Sequence, residues 1–407
     1  MSKRLAIMVV TQIPLWSMDK ETGGPALSQM VFGYARAGHS VHLVTPELPY
    51  VSQADLPEGV VLHTFKHAFH GAFIGIKKVG WLFDAAGWLV FQRRAGKIGR
   101  RLLREQHFDV IYGYDVWGIP CARKLADSFR LPMVSRFQGT RMNRWIGARM
   151  GSLRFFKYFK AFRTPADLYI MTNDGSRGDR LLKRFQVDES RLRFWRNGVD
   201  IECAEEGASE ARRRLGLEPG NEILLTLCRL VPEKGVQHAV RAMPEVLERF
   251  PTARLVVVGE GPYRAELESL ASGLGISEQV LFTGGLDRKS VAAMLQAADV
   301  FVSMYDHSNV GNPLLEALSC GKAIVTSDVG ATGEVITHGE NGLLLPPDGL
   351  SRLGEVVCDL LSDNALRAKL GLGARGWAAA NLTDWQERID MEISEIARLV
   401  GEWQAVG

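Results

Sequence analysis

Long apolar runs are missing from this 407-residue chain. No window is apolar enough for long enough to cross a bilayer, so no membrane span is expected. The run Leu5–Val10 behind Lys3 and Arg4 is short and passes into Thr11-Gln12-Ile13-Pro14. It reads as a first β-strand and not as a signal peptide. Cysteine is scarce and scattered: Cys121, Cys203, Cys228, Cys320 and Cys358 are odd in number, and no pair has ligand-like spacing. That excludes a disulfide framework and a structural zinc, and predicts reduced thiols in a cytoplasmic protein. No Asp-x-Asp occurs, and acidic pairs are what a divalent cation on a diphosphate usually needs, so no metal is expected. A fixed-period repeat and low-complexity segments are also absent, which excludes solenoids and disordered tails. Acid itself is missing from two stretches, Ala85–Arg104 and Arg141–Arg163.

What is present suits a globular protein with 46% hydrophobic and 23% charged residues, long enough for two to three domains. The net charge of +3 conceals an imbalance: residues 1–200 carry 31 Lys/Arg against 16 Asp/Glu, and the remainder carries 18 against 30. The two halves are electrostatically different bodies, and an anionic partner suits the first. Strand-like and helix-like segments alternate twice. Strands are predicted at Leu5–Gln12, Val41–Thr45, Val60–Phe65, Asp109–Asp115, Pro132–Gly139, Ala166–Thr172 and Arg191–Arg196. Helices among them are predicted at Pro25–Arg36, Pro120–Phe129 and Asp174–Phe185. After the turn Asn197-Gly198-Val199-Asp200, strands recur at Ile223–Cys228, Arg254–Gly259, Val280–Thr283, Val300–Met304 and Ala323–Thr326. Strands apolar on both faces with helical crossovers predict two α/β doubly wound domains with parallel sheets. The expected boundaries are 1–198, 199–382, and a helical tail 383–407 packing back on the first domain.

The stretch Asp306–Glu316 follows a buried-looking strand and opens a helix, with Asn312 read as N-cap and Pro313 as the first helical residue. The first free backbone N–H groups, on Leu314 and Leu315, would then meet a phosphate, and Glu316, one turn on, would reach sugar hydroxyls. An ordinary strand–loop–helix with a solvent-facing Glu fits these residues equally. Arg229 and Lys234 flank a strand end, a fork and a mobile point charge suited to a diphosphate, or else a surface cluster with Glu233. Gly23-Gly24, Gly259-Glu260-Gly261-Pro262 and Thr283-Gly284-Gly285 are further strand-end loops, and such loops converge on one crevice.

Taken in order, these pieces resemble the retaining family 4 glycosyltransferases with the GT-B fold of two facing Rossmann-like domains. The resemblance rests on Gly23-Gly24, Gly38-His39-Ser40-Val41, Asn197-Gly198-Val199-Asp200, Arg229-Leu230-Val231-Pro232-Glu233-Lys234-Gly235 and Val258-Gly259-Glu260-Gly261-Pro262. Phe282-Thr283-Gly284, Gly311-Asn312-Pro313-Leu314-Leu315-Glu316-Ala317 and Asn341-Gly342-Leu343 complete it. It implies transfer of a sugar from a nucleotide-diphosphate-sugar with the anomeric configuration kept, and no cofactor beyond that substrate. It implies Arg229 and Lys234 on the diphosphate and Glu316 on the ribose. Gly24, Gln138, Gly259, Thr283, Asp306, Ser308, Asn309, Val310, Gly311, Leu314 and Leu315 would line the donor. Two positions depart from the pattern: Ser308 stands where the family's first Glu contacts the sugar, and Gln138 where the family often has His. Ser308 is expected to mark a changed sugar contact.

The acid-free stretches read as basic amphipathic segments. In the first, Trp81, Ala85, Trp88, Ala95, Ile98 and Leu102 can share a face opposite Arg94, Lys97, Arg101 and Arg104. In the second, seven basic residues interleave with Trp145, Phe155, Phe156, Tyr158, Phe159 and Phe162. Segments 77–104 and 141–163 therefore suit an anionic membrane surface on the inner face of the cell membrane, and a lipid-linked acceptor. The competing reading packs the apolar faces on the domain's own sheet. No nucleic-acid partner is expected. The alternatives to a membrane enzyme are transfer to a soluble small molecule, and a catalytically silent nucleotide-binding subunit.

Overall fold

The computed structural model describes residues 4–13, 15, 25–47, 53–67, 80–140, 142, 155–200, 206–307 and 310–406. The chain divides into two compact units. One holds residues 1–173, 177–197 and 385–407, and the other residues 174–176 and 198–384.

The first unit is built on seven parallel strands: β1 (Ala6–Val10), β2 (Ser40–Pro46), β3 (Val60–Phe65), β4 (Val110–Tyr114), β5 (Met133–Phe137), β6 (Leu168–Thr172) and β7 (Leu192–Trp195). Their order is β3-β2-β1-β4-β5-β6-β7. Alternate residues of β1 face opposite ways, as the two-residue period requires. Ile7 and Val9 join the layer under α1 (Pro25–Arg36), while Met8 and Val10 join the layer under α2 (Gly80–Glu105) and α3 (Asp115–Phe129). Helix α3 starts five residues before the predicted Pro120. Asp115, expected to end the strand, begins the helix with φ of +59°, and Pro120 lies within it. Two short helices follow, α4 (Phe156–Phe162) and α5 (Gly178–Arg184). The second starts four residues later than predicted, because Arg177 adopts a left-handed φ of +56° just before it.

The second unit has six parallel strands: β8 (Ile223–Leu227), β9 (Arg254–Val258), β10 (Val280–Gly284), β11 (Val300–Ser303), β12 (Ala323–Ser327) and β13 (Leu343–Leu345), in the order β10-β9-β8-β11-β12-β13. The three-residue β13, hemmed by Gly342 and Pro346, is too short to announce itself in the sequence. Helices α6 (Glu206–Arg214), α7 (Val236–Arg249), α8 (Arg264–Gly273), α9 (Arg288–Ala297), α10 (Asn312–Ser319), α11 (Leu353–Ser362) and α12 (Asn364–Asn381) cover the two faces. One apolar layer lies under α7 and α11, the other under α9 and α10. Cys320 is disulfide-bonded, with its partner outside the described residues. The expectation of reduced thiols throughout fails there, since sequence spacing does not reveal which thiols fold together.

The apolar face of α2 packs inward: Trp88, Phe91, Ala95 and Leu102 are buried, and a Cβ on Gly99 would stand 2.5 Å from Leu125 of α3. Its basic residues Arg93, Arg94, Lys97, Arg100, Arg101 and Arg104 are exposed. The α4 aromatics also turn inward, with Phe162 stacked between Phe137 (4.5 Å) and Phe185 (5.9 Å). Among the described residues of the two segments, Leu89 is the one large apolar side chain that stays exposed. Residues 77–79, 141 and 143–154 of the two basic segments lie outside the described residues.

The last helix, α13 (Trp385–Val406), belongs to the first unit and pushes a carboxylate into its core. Glu392 accepts from Arg136 of β5 at 2.5 Å, from Tyr34 of α1 at 2.5 Å, and from Tyr112 of β4. Arg388, one turn earlier, lies 2.8 Å from the same carboxylate and 4.5 Å above the Trp195 ring, while its Nε donates to the Arg196 carbonyl. Burial alone would raise the Glu392 pKa, but Arg136, Arg388 and the two tyrosines together hold it down at about 2. A carboxylate so depressed stabilises the fold above its unfolded pKa near 4.5 and loses that contribution as pH falls toward about 2. Glu392→Ala strands two buried guanidinium groups. It should lower stability by about 3–5 kcal/mol, read by denaturant unfolding at neutral pH, and should flatten the acid limb of the stability profile between about pH 4.5 and 2.

Candidate functional site

In an open parallel sheet, ligands bind beyond the carboxyl ends of the strands where the strand order reverses. In the second unit that point lies between β8 and β11, the two strands on which the motifs sit. The loops there are joined backbone to backbone. Leu230 N–H donates to the Glu260 carbonyl (2.8 Å), Tyr263 N–H to Leu230 (3.1 Å), Gly259 N–H to Gly284 (2.8 Å) and Asp306 N–H to Glu233 (3.0 Å). Such approach leaves no space for side chains. A Cβ would stand 1.7 Å from the Met304 oxygen at Gly235, whose φ is +66°, and 1.9 Å from the Cys228 oxygen at Gly259, whose φ is +132°. The glycines of these motifs are dictated by packing as much as by any ligand.

This knitting gathers Arg229, Lys234, Gly259, Thr283, Asp306, Val310, Gly311 and the start of α10 at one end of the sheet. Arg229 is exposed and makes no ion pair among the described residues. The Lys234 ammonium lies over the Tyr305 ring, 3.7 Å from its centroid, a cation–π contact that holds the flexible lysine at the strand end. Asp306 and His307 are exposed, and Val310 is buried. Thr283 donates its hydroxyl to the Gly284 carbonyl at 2.9 Å. Ser308, Asn309 and Gly24 lie outside the described residues. Gln138 belongs to the first unit, at the ends of β4, β5 and β6. There its amide donates to the Tyr114 hydroxyl at 2.6 Å and accepts from Thr172 at 3.4 Å.

The start of α10 differs from expectation. Gly311, and not Asn312, is the N-cap, and no side chain caps the helix. Starting one residue earlier, the helix already uses the N–H groups of Leu314 and Leu315, which both donate to the Gly311 carbonyl at 3.1 and 3.2 Å. They are not free for a phosphate, and their side chains are buried. The positive end of the helix dipole therefore lies at Gly311 and Asn312.

Glu316 sits one turn into α10, half-buried, at the same sheet end. Burial pushes its carboxyl up to about 7, and the Arg288 guanidinium only partly offsets this. The buried Tyr305 phenol, also raised by burial, feels the Glu316 charge. Tyr305 thus stands under Lys234 and within electrostatic reach of Glu316. Nothing in the sequence around Tyr305 or Arg288 signals either role, because each depends on which strand end and helix start meet in space. Chemically, two cations at a strand end and a carboxyl poised near neutrality suit a group with both negative charge and hydroxyls. No cluster of three or more potential metal ligands occurs among the described residues.

The two doubly wound parallel-sheet units are the Rossmann-like halves of a GT-B glycosyltransferase. The Glycosyltransferase Family 4 profile matches residues 27–203 and the Glycosyl transferases group 1 profile residues 208–377. The chain belongs to the family 4 glycosyltransferases and is a glycosyltransferase. It is 27% identical over 345 residues to an uncharacterised glycosyltransferase of Methanocaldococcus jannaschii, covering 82% of this chain and 84% of that one. It is 34% identical over 203 residues to the GDP-mannose-dependent α-(1-6)-phosphatidylinositol monomannoside mannosyltransferase of Mycolicibacterium smegmatis, covering 47% of this chain and 52% of the relative. Its fold is similar to that of Anabaena HepE in complex with UDP-glucose, with a TM-score of 0.71, 18% identity, and 96% and 100% of the two chains covered.

The raised Glu316 pKa has a sign that can be tested. A carboxyl with folded pKa about 7 binds its proton more tightly folded than unfolded, so stability falls as pH rises from about 4.5 to about 7. Glu316→Gln should remove that fall. Relative to wild type it should gain on the order of 2 kcal/mol at pH 8 and little at pH 4, read by denaturant unfolding.

Proposed function

We propose that this glycosyltransferase moves a sugar from a nucleotide-diphosphate-sugar to a membrane-associated, lipid-linked acceptor, with retention of configuration and without a metal. The observation that carries the donor half is the placement of Arg229 and Lys234 after β8 and of Glu316 beyond β11, on either side of the switch point. Bond breakage leaves negative charge on the diphosphate. Arg229 offers a fork and Lys234 a positioned point charge, and both interactions strengthen as that charge develops. The helix dipole at Gly311 and Asn312 adds to them. Glu316, when ionised, accepts hydrogen bonds from a diol such as the ribose hydroxyls, so donor affinity should rise with pH through about 7. In the first unit, Gln138 is held at the strand ends by Tyr114 and Thr172. Two relatives name nucleotide-linked sugars, GDP-mannose in one and UDP-glucose in the other.

The acceptor half rests on charge. The buried apolar face of α2 leaves its exposed arginines and lysine to act on an anionic surface electrostatically, without insertion. The M. smegmatis relative acts, by its name, on a phosphatidylinositol mannoside. No helix among the described residues is long and apolar enough to cross a membrane.

Arg229→Ala and Lys234→Ala should each lower turnover roughly 100-fold with the fold intact, the usual cost of losing one donor to a developing charge. Transfer to extracted lipid, with nucleotide-sugar hydrolysis as a second readout, checks this, and near-normal rates in either variant would remove the diphosphate assignment. Wild-type rates should persist in excess chelator, and loss restored specifically by magnesium or manganese would show a metal at work. Flotation with phosphatidylglycerol vesicles should weaken with salt, each basic residue near the surface contributing about 1 kcal/mol. Charge reversal at Lys97, Arg101 and Arg104 should release the protein. Arg94 is spared because it donates to the Lys66 carbonyl. Unchanged flotation would make these residues an ordinary solvated face.

A further inference from the structure

The first unit has a cavity at the opposite end of its sheet from Gln138. It lies where β5, β6 and β7 begin, between the end of α3 and the last turns of α13, with a volume of about 850 Å³. That lies within the range of pockets that hold small organic ligands, on the order of 300–1,000 Å³. Four arginines line it: Arg123 and Arg130 from α3 and its cap, Arg191 before β7, and Arg398 from α13. Two are already neutralised. Arg123 pairs with Asp127 at 2.7 Å and Asp167 at 3.4 Å, and Arg398 with Glu395 at 2.9 Å and Glu402 at 2.6 Å. Arg130 and Arg191 are exposed and make no ion pair among the described residues. The Nε of Arg123 is buried away from the cavity surface. Trp403 completes the wall. Its indole N–H donates to the Arg130 carbonyl at 3.1 Å, and the residue stays 38% exposed.

We propose that this cavity binds a small organic phosphate bearing a planar ring, a nucleotide, separately from the donor site. Two forks left unpaired by acid suit the oxygens of one phosphate, which guanidinium groups grip two at a time. An exposed indole at the same wall offers a stacking face for the ring. The geometry also gives the site a consequence. Its wall is the carboxyl-terminal part of α13, the helix that carries Glu392 into the core, so a ligand spanning Arg191 and Trp403 ties that helix to the sheet.

The test uses the full chain carrying Arg229→Ala and Lys234→Ala, so that the donor site is disabled. Calorimetry with AMP should show one site per chain that weakens as salt rises. Adding Arg130→Gly and Arg191→Ala should weaken AMP at least tenfold. Glycine is chosen because Arg130 has a left-handed φ of +52°, which glycine adopts freely. Trp403→Leu should weaken AMP severalfold and leave inorganic phosphate unchanged. Absence of AMP binding in the disabled background, or binding that survives the two arginine substitutions, overturns the proposal. Equal affinity for AMP and inorganic phosphate overturns the stacking ring. These outcomes leave the donor assignment untouched, since it is tested by Arg229 and Lys234 alone.

Discussion

The carbonyl of Met304 and the backbone of Gly235 touch so closely that no side chain fits between them. That contact, with its counterparts at Gly259 and Gly261, locks the loops after β8, β9 and β11 into one rigid rim. Everything assigned to the donor depends on it. Arg229 and Lys234 are carried on the first loop, Tyr305 and the approach to α10 on the last. A rim of this kind is pre-organised, so the cations need not be drawn together by the ligand when it binds. The same crowding explains why glycine recurs there, and keeps the motif glycines from serving as direct evidence of phosphate contact.

Electrostatics are handled differently in the two units. In the first, a carboxylate is driven into the core and satisfied on all sides, so its pKa falls and it serves as structure. In the second, burial raises the Glu316 pKa to about 7, with the Arg288 guanidinium opposing it only in part. The two have similar chemistry and opposite shifts because Glu392 is surrounded by cations and hydroxyl donors while Glu316 has only the Arg288 charge against its burial. A strongly shifted carboxyl at the ligand-binding end of a sheet is more often a functional group than a structural one.

The basic stretches carry a related lesson. The basic residues of α2 are exposed as the composition suggests, yet Trp88, Phe91, Ala95 and Leu102 between them pack into the core. What α2 presents outward is thus mainly charge.

Much was legible in the sequence. Two parallel sheets follow from strands apolar on both faces, and the helical tail follows from the pattern after residue 383. The ordered set of short motifs identifies the family and points to Arg229, Lys234 and Glu316. These are local signals, carried by period, glycine and charge within a few residues. Tertiary structure alone decided the rest. The start of α10 shifted by one residue, which consumed the Leu314 and Leu315 N–H groups. Tyr305 was placed under Lys234, and Arg288 within reach of Glu316. Glu392 came to face Arg136 across more than 250 positions, and the arginines of the amino-end cavity were gathered from three separate segments. Each depends on which backbone ends meet in space, a relation between distant residues that no window of sequence contains.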